Sequence, residues 1–165
     1  MEIKVSERRT TLVLGIGNTL LTDEGVGVHV IRRLQEQYPD REDAVFIDGG
    51  TLSFSLAGLL AEHDQLIVVD AARTGGTPGS IVCYVESEMD RYLTGNRQSV
   101  HEVGLTDLLD IARLSDHYPE KRALIGIEPE SLDWGEQPSL VVDAALPAAV
   151  QTVLDLIDQW TLGHP

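Results

Sequence analysis

Four residues in this sequence pair a metal-ligating or proton-transferring side chain with the end of an apolar run. Glu24 follows the run 11–16, Asp48 ends the run 44–48, and Asp70 ends the run 65–70. His101 stands in Ser99-Val100-His101-Glu102, just before a helical pattern. Carboxylate oxygens and one imidazole nitrogen make a mixed donor set for a borderline ion such as nickel, zinc, manganese or iron. Binding would need ionised acids and a neutral imidazole. Each residue also has a plain structural reading. Acids after strands commonly cap the next helix, and Asp23 or Glu24 could do so for a helix entered at Gly25. Spacing along the chain carries no motif here; the signal is position at strand ends.

The elements that must position these residues follow from periodicity. Runs at 11–16, 44–48, 65–70, 80–85 and 123–127 read as strands, and QLIVVD at 65–70 is apolar enough for a strand buried on both faces. Helical patterns cover about 25–38, 53–62 and 104–114, with a last helix from just after Asp143 to about Trp160. Pro147 then falls in that helix's first turn, where proline is tolerated. The connection 71–79 is short and glycine-rich, so strand four is expected antiparallel to strand three, as a hairpin at one edge. Residues 86–100 read as a polar excursion and 131–139 as a loop.

Strands alternating with helices predict an α/β fold. The expected form is a three-layer α-β-α sandwich with a five-stranded, mostly parallel sheet and strand four antiparallel at an edge. Residues 1–10 are expected as an N-terminal arm and 11–165 as a single domain. Ligands in such folds sit beyond the carboxyl ends of the parallel strands. Glu24, Asp48 and Asp70 would share that rim, and the stretch after strand four is long enough to return His101 to it.

The loop after strand one, GIGNTLLTDEG, looks at first like a phosphate loop. It places carboxylates where a phosphate needs bare N–H groups or a lysine. The dinucleotide fingerprint fails because Leu20 occupies its third glycine position. No P-loop string and no G-x-S-x-G elbow occurs, and His101-Glu102 lacks the second histidine of H-E-x-x-H. A flavodoxin-like cofactor binder fits the topology but not these loops.

Bulk composition narrows the partners. With 27 acids against 12 lysines and arginines, the net charge of −15 opposes nucleic acid and anionic membrane, and suits cationic partners or metals. No apolar run long enough to span a bilayer and no signal segment is apparent. Cys83, the only cysteine, cannot pair within the chain, which fits a reducing cytoplasm; between Val82 and Tyr84 it reads as a small core residue. A monomer is the default expectation. His29, His63, His117 and His164 lack strand-end context and read as structural or solvated.

Several blocks together resemble one known family. They are Gly15-Ile16-Gly17-Asn18 through Asp23-Glu24-Gly25, then Asp48-Gly49-Gly50-Thr51, Val69-Asp70-Ala71, Ser99 to Leu105, and Gly126-Ile127-Glu128-Pro129. Collinear and spanning nearly the whole chain, they resemble the [NiFe]-hydrogenase maturation endopeptidases. The resemblance implies removal of a C-terminal extension from the hydrogenase large-subunit precursor after nickel insertion. It implies Glu24, Asp70 and His101 as metal ligands, with nickel carried by the precursor and other divalent ions able to bind the isolated protein. Asp48 would act in substrate recognition or catalysis. Asp23, by its position in the loop rather than by the resemblance, is expected to support the turn or cap the helix. The alternative function is a nickel-sensing chaperone that grips the large subunit without cutting it.

Overall fold

Among the described residues, five strands form one mixed sheet in the order β2-β1-β3-β5-β4. The computed structural model describes residues 10–50, 55–95 and 100–162, the last block without the side chains of its first four residues. The expected arm, Thr10 apart, and His164 lie outside the described residues. The elements are β1 (Thr11–Ile16), a 3-10 turn (Thr22–Gly25), α1 (Val26–Gln37), β2 (Ala44–Gly50), α2 (Leu56–Ala61) and β3 (Gln65–Ala71). There follow β4 (Ile81–Val85), α3 (Ser87–Gly95), α4 (Val100–Leu114), β5 (Lys121–Ile127) and α5 (Leu140–Leu162). Four strands are parallel and β4 is antiparallel at the edge, with helices on both faces, as expected.

The two-residue alternation of the strands builds two cores, one on each face. Val13, Ile67, Val69 and Ile125 pack with α1 and α5, while Leu12, Leu14, Leu66, Val68 and Leu124 pack with α2, α3 and α4. Burying each such side chain contributes roughly 1.5–3 kcal/mol before conformational entropy is set against it. Helix α5 is long and apolar enough to cross a membrane, a length the sequence expectation passed over. Its Val142, Leu146, Val153 and Ile157 are instead buried in the first core.

Four expectations change. Strand β4 is antiparallel at an edge, but it pairs with β5, not β3. The apolar β5 takes the interior place beside β3, and β4, with its half-covered flanks, is displaced outward. The excursion at 86–100 contains α3, whose Met89 and Leu93 sit one turn apart and are buried. Helix α5 begins at Leu140, so Pro147 lies in its interior and withholds an N–H from the Asp143 carbonyl. Cys83 is exposed on the edge strand, so it is not the core residue that its apolar neighbours suggested.

Candidate active site

The strand order reverses direction between β1 and β3. From β1 the chain goes to β2 on one side, and from β2 it crosses to β3 on the other. The loops leaving β1 and β3 therefore diverge and open a crevice, the usual ligand position in such sheets. Glu24 lies in the 3-10 turn after β1 and Asp70 near the end of β3, so the two stand on either side of it.

One glycine folds the loop after β1 tightly on itself and a second holds the two crevice walls together. Gly17 has φ +134°, and a Cβ there would come 1.9 Å from the Glu24 carbonyl oxygen. A Cβ on Gly27 would come 2.1 Å from the Val69 carbonyl oxygen. The start of α1 can thus lie directly against the end of β3, beside Asp70. The N-cap of α1 is Gly25, which has no side chain to cap it, and among the described residues the Asp23 carboxylate bonds to the 130–139 segment rather than to α1.

Asp70 is 6% exposed, and its Oδ1 accepts a hydrogen bond from the Ala71 N–H at 2.8 Å. Alternation along β3 places it with Leu66 and Val68, on the face covered by α4. Helix α4 ends at the amino rim, where Asp116 and His117 line a cavity with Gln65 and Lys121. Its first turn, which carries His101, is therefore at the same rim as Asp70. The His101 side chain lies outside the described residues. Helix α3 provides the return path that the sequence left to an irregular stretch; at about 1.5 Å per residue it climbs most of the sheet's height.

Asp48 is placed differently. Both Asp48 and Val69 register with Gly15, so β1 lies between Asp48 and the end of β3, a separation of about 10 Å at normal strand spacing. Alternation with Ala44 and Phe46 sends Asp48 toward the α1 side, and it is exposed. Its Oδ1 accepts from the Gly50 N–H at 2.9 Å, where Gly50 has φ +52°. Among the described residues no three His, Cys, Asp or Glu side chains are grouped closely enough to hold an ion.

Two further carboxylates support the rim. Asp23 is fully buried. Its oxygens accept from the N–H groups of Glu130, Ser131 and Ser139 at 2.7–3.0 Å, and from the Ser139 hydroxyl at 2.7 Å. Burial raises its pKa, but these four hydrogen bonds outweigh that and hold it below the ordinary carboxylate value. Asp23 thus supports the turn, as expected, by clamping the 131–139 loop to it and fixing the start of α5. The Ser139 carbonyl accepts from the Asp143 N–H, which explains the earlier helix start. Glu128 is also buried; its Oε2 accepts from the Thr74 N–H at 2.7 Å and the Thr74 hydroxyl at 3.0 Å, tying the loop after β3 to the end of β5. Serines at 131 and 139 gave no periodic signal that could have revealed the clamp.

The family model described as hydrogenase maturation protease matches residues 28–156. The chain belongs to that family. The hydrogenase 2 maturation protease of Escherichia coli K12 is 36% identical over 144 residues, 87% of each chain. The hydrogenase expression/formation protein HupD of Rhizobium leguminosarum bv. viciae is 36% identical over 150 residues, 90% of this chain and 74% of that one. The hydrogenase maturating endopeptidase HybD from E. coli superposes with a TM-score of 0.85 at 34% identity, covering 92% of this chain and 93% of that one. The [NiFe] hydrogenase maturation protease HybD from Thermococcus kodakarensis gives 0.77 at 26% identity, covering 90% and 99%. This hydrogenase maturation protease is therefore a peptidase, and its sheet order and crevice are to be read as those of a protein-cutting enzyme.

Proposed function

We propose that this protease removes the C-terminal extension of a [NiFe]-hydrogenase large-subunit precursor once nickel has been inserted, and that it reads the nickel through Glu24, Asp70 and His101. The observation that carries the reading is Asp70. A carboxylate 6% exposed at the end of the central strand, on the sheet face covered by the helix whose first turn holds His101, supports a donor set gathered at one rim. Glu24 stands across the crevice in the 3-10 turn after β1.

Nickel here belongs to the substrate. Bound in the precursor, it would hold the scissile peptide at the crevice and polarise its carbonyl or a water. The protein's own residues supply carboxylate and imidazole donors that fit a borderline ion. Asp48 lies about two strand spacings from Asp70, at about 10 Å. That strand spacing, with the two side chains on opposite faces of the sheet, suits a contact to the extension or a base acting on water at the rim better than a shared coordination shell. The cleavage is assigned to the cytoplasm and to the monomer, where a lone exposed thiol is not oxidised to a disulfide.

The test is cleavage of nickel-loaded precursor by the wild type and by Asp70→Asn and His101→Ala. The reading expects both variants to fail at normal enzyme levels. Cleavage at the wild-type rate by either would refute the assignment of that residue.

A further inference from the structure

The 131–139 loop carries a feature that the chemistry of the crevice does not use. Trp134 is 83% exposed and Leu140, just beyond the loop, is 90% exposed. Leu132 is also exposed, and so is Leu20 on the neighbouring segment. Leu20 and Trp134 are brought side by side by backbone pairing. The Gly135 N–H donates to the Leu20 carbonyl at 2.9 Å, the Thr22 N–H donates to the Gly135 carbonyl at 2.8 Å, and Leu21 bridges Gly135.

Large apolar groups this exposed are usually mobile or covered by a partner. Mobility does not fit here, because the Asp23 clamp and this backbone pairing fix the loop at both ends. A rigid, exposed tryptophan is the usual anchor of a protein interface, since it loses little side-chain entropy on docking.

We propose that Trp134, with Leu20, Leu132 and Leu140, is the docking platform for the folded body of the precursor, and that Asp23 is its positioning residue. The proposal rests on the precursor reading above. Continuity with the crevice identifies the occupant: Leu20 and Glu24 belong to one loop, and Asp23 joins that loop to Trp134's. A protein that places its peptide between Glu24 and Asp70 thus brings its body beside the loop that carries this patch. Charge identifies the facing chemistry. Glu130, Asp133 and Glu136 are exposed around the apolar groups, so the partner surface is apolar with a basic rim.

The experiment measures precursor binding and precursor cleavage separately, with the full chain and nickel-loaded precursor. Trp134→Ala should weaken binding and raise KM by about tenfold to thirtyfold, with kcat within about twofold of wild type. Trp134→Phe should recover most of the affinity. Asp23→Asn should raise KM in the same direction, and raised salt should slow association of the wild type. An unchanged affinity in Trp134→Ala would overturn the platform, as would a fall in kcat at constant KM. Wild-type self-association that Trp134→Ala abolishes at unchanged KM would make the patch a self-interface and overturn it as well. Binding without cleavage would overturn the protease reading alone, leaving the platform to be judged by the affinity ratio. Neither binding nor cleavage would overturn both.

Discussion

The two ends of the sheet treat polar residues in opposite ways. Among the described residues, three carboxylates are buried at the carboxyl rim: Asp23, Asp70 and Glu128. At the amino rim the buried polar residues among those described are neutral, Thr11 and Gln65, and the Thr11 hydroxyl donates to the Gln65 amide oxygen at 2.7 Å. The amino rim does not lack titratable groups. A cavity of about 260 Å³ there is lined by His63, Asp64, Asp116, His117 and Glu120. Apart from the half-buried His63, these stand in solvent. An inventory of residue types would favour the amino rim as a metal site. The cost of burying charge points to the other, because a buried carboxylate persists only where hydrogen bonds or a function hold it.

The largest effect expected from that contrast is on activity. Asp70→Asn and Glu24→Gln should each slow precursor cleavage by about a hundredfold or more, since even groups behind metal ligands cost 10–100-fold. Their unfolding free energies in urea should stay within about 1 kcal/mol of wild type. A rate loss matched by an equal stability loss would break the contrast, by making these acids structural like Asp23.

Asp23 should show the reverse weighting in stability. Asp23→Ala strands the N–H groups of Glu130, Ser131 and Ser139 together, and about 3 kcal/mol of unfolding free energy should be lost. The clamp should also be acid-sensitive. Its folded pKa is lowered from 3.8, so its contribution is complete above that value and is lost as pH falls through the lower folded value. The gap in unfolding free energy between wild type and Asp23→Asn should therefore be widest near neutrality and narrow below about pH 4, as read by urea titration. A gap independent of pH would show that the bonds do not require the ionised acid.

The smallest effect belongs to the amino rim. Replacing both members of its neutral pair, Thr11→Val with Gln65→Leu, should change stability by about 1 kcal/mol or less, because no orphaned polar group remains. That change should not vary with pH, and cleavage should be untouched. A loss of several kcal/mol would mean that the two rims are held by similar means.

The sequence made the layers, the strand-end acids and the lone antiparallel edge legible, because period-two apolar runs and glycine turns are local signals. It did not reveal that β5 lies between β3 and β4, since pairing order depends on which strand buries both faces. Helix α3 was hidden because its buried face amounts to little more than Met89 and Leu93 in a polar segment. The role of Asp23 was half legible: its position argued for turn support, but its partners lie 107 to 116 residues away. Trp134 carried no periodic signal at all. Its meaning comes from being exposed on a loop that is pinned.

The most direct test of the central claim is the mass of the precursor's C-terminus after incubation with this protease, with and without nickel in the precursor. The account predicts a shortened chain from the nickel-loaded precursor and an intact one from the nickel-free precursor. Equal shortening of both would contradict the reading of Glu24, Asp70 and His101 as nickel-sensing ligands.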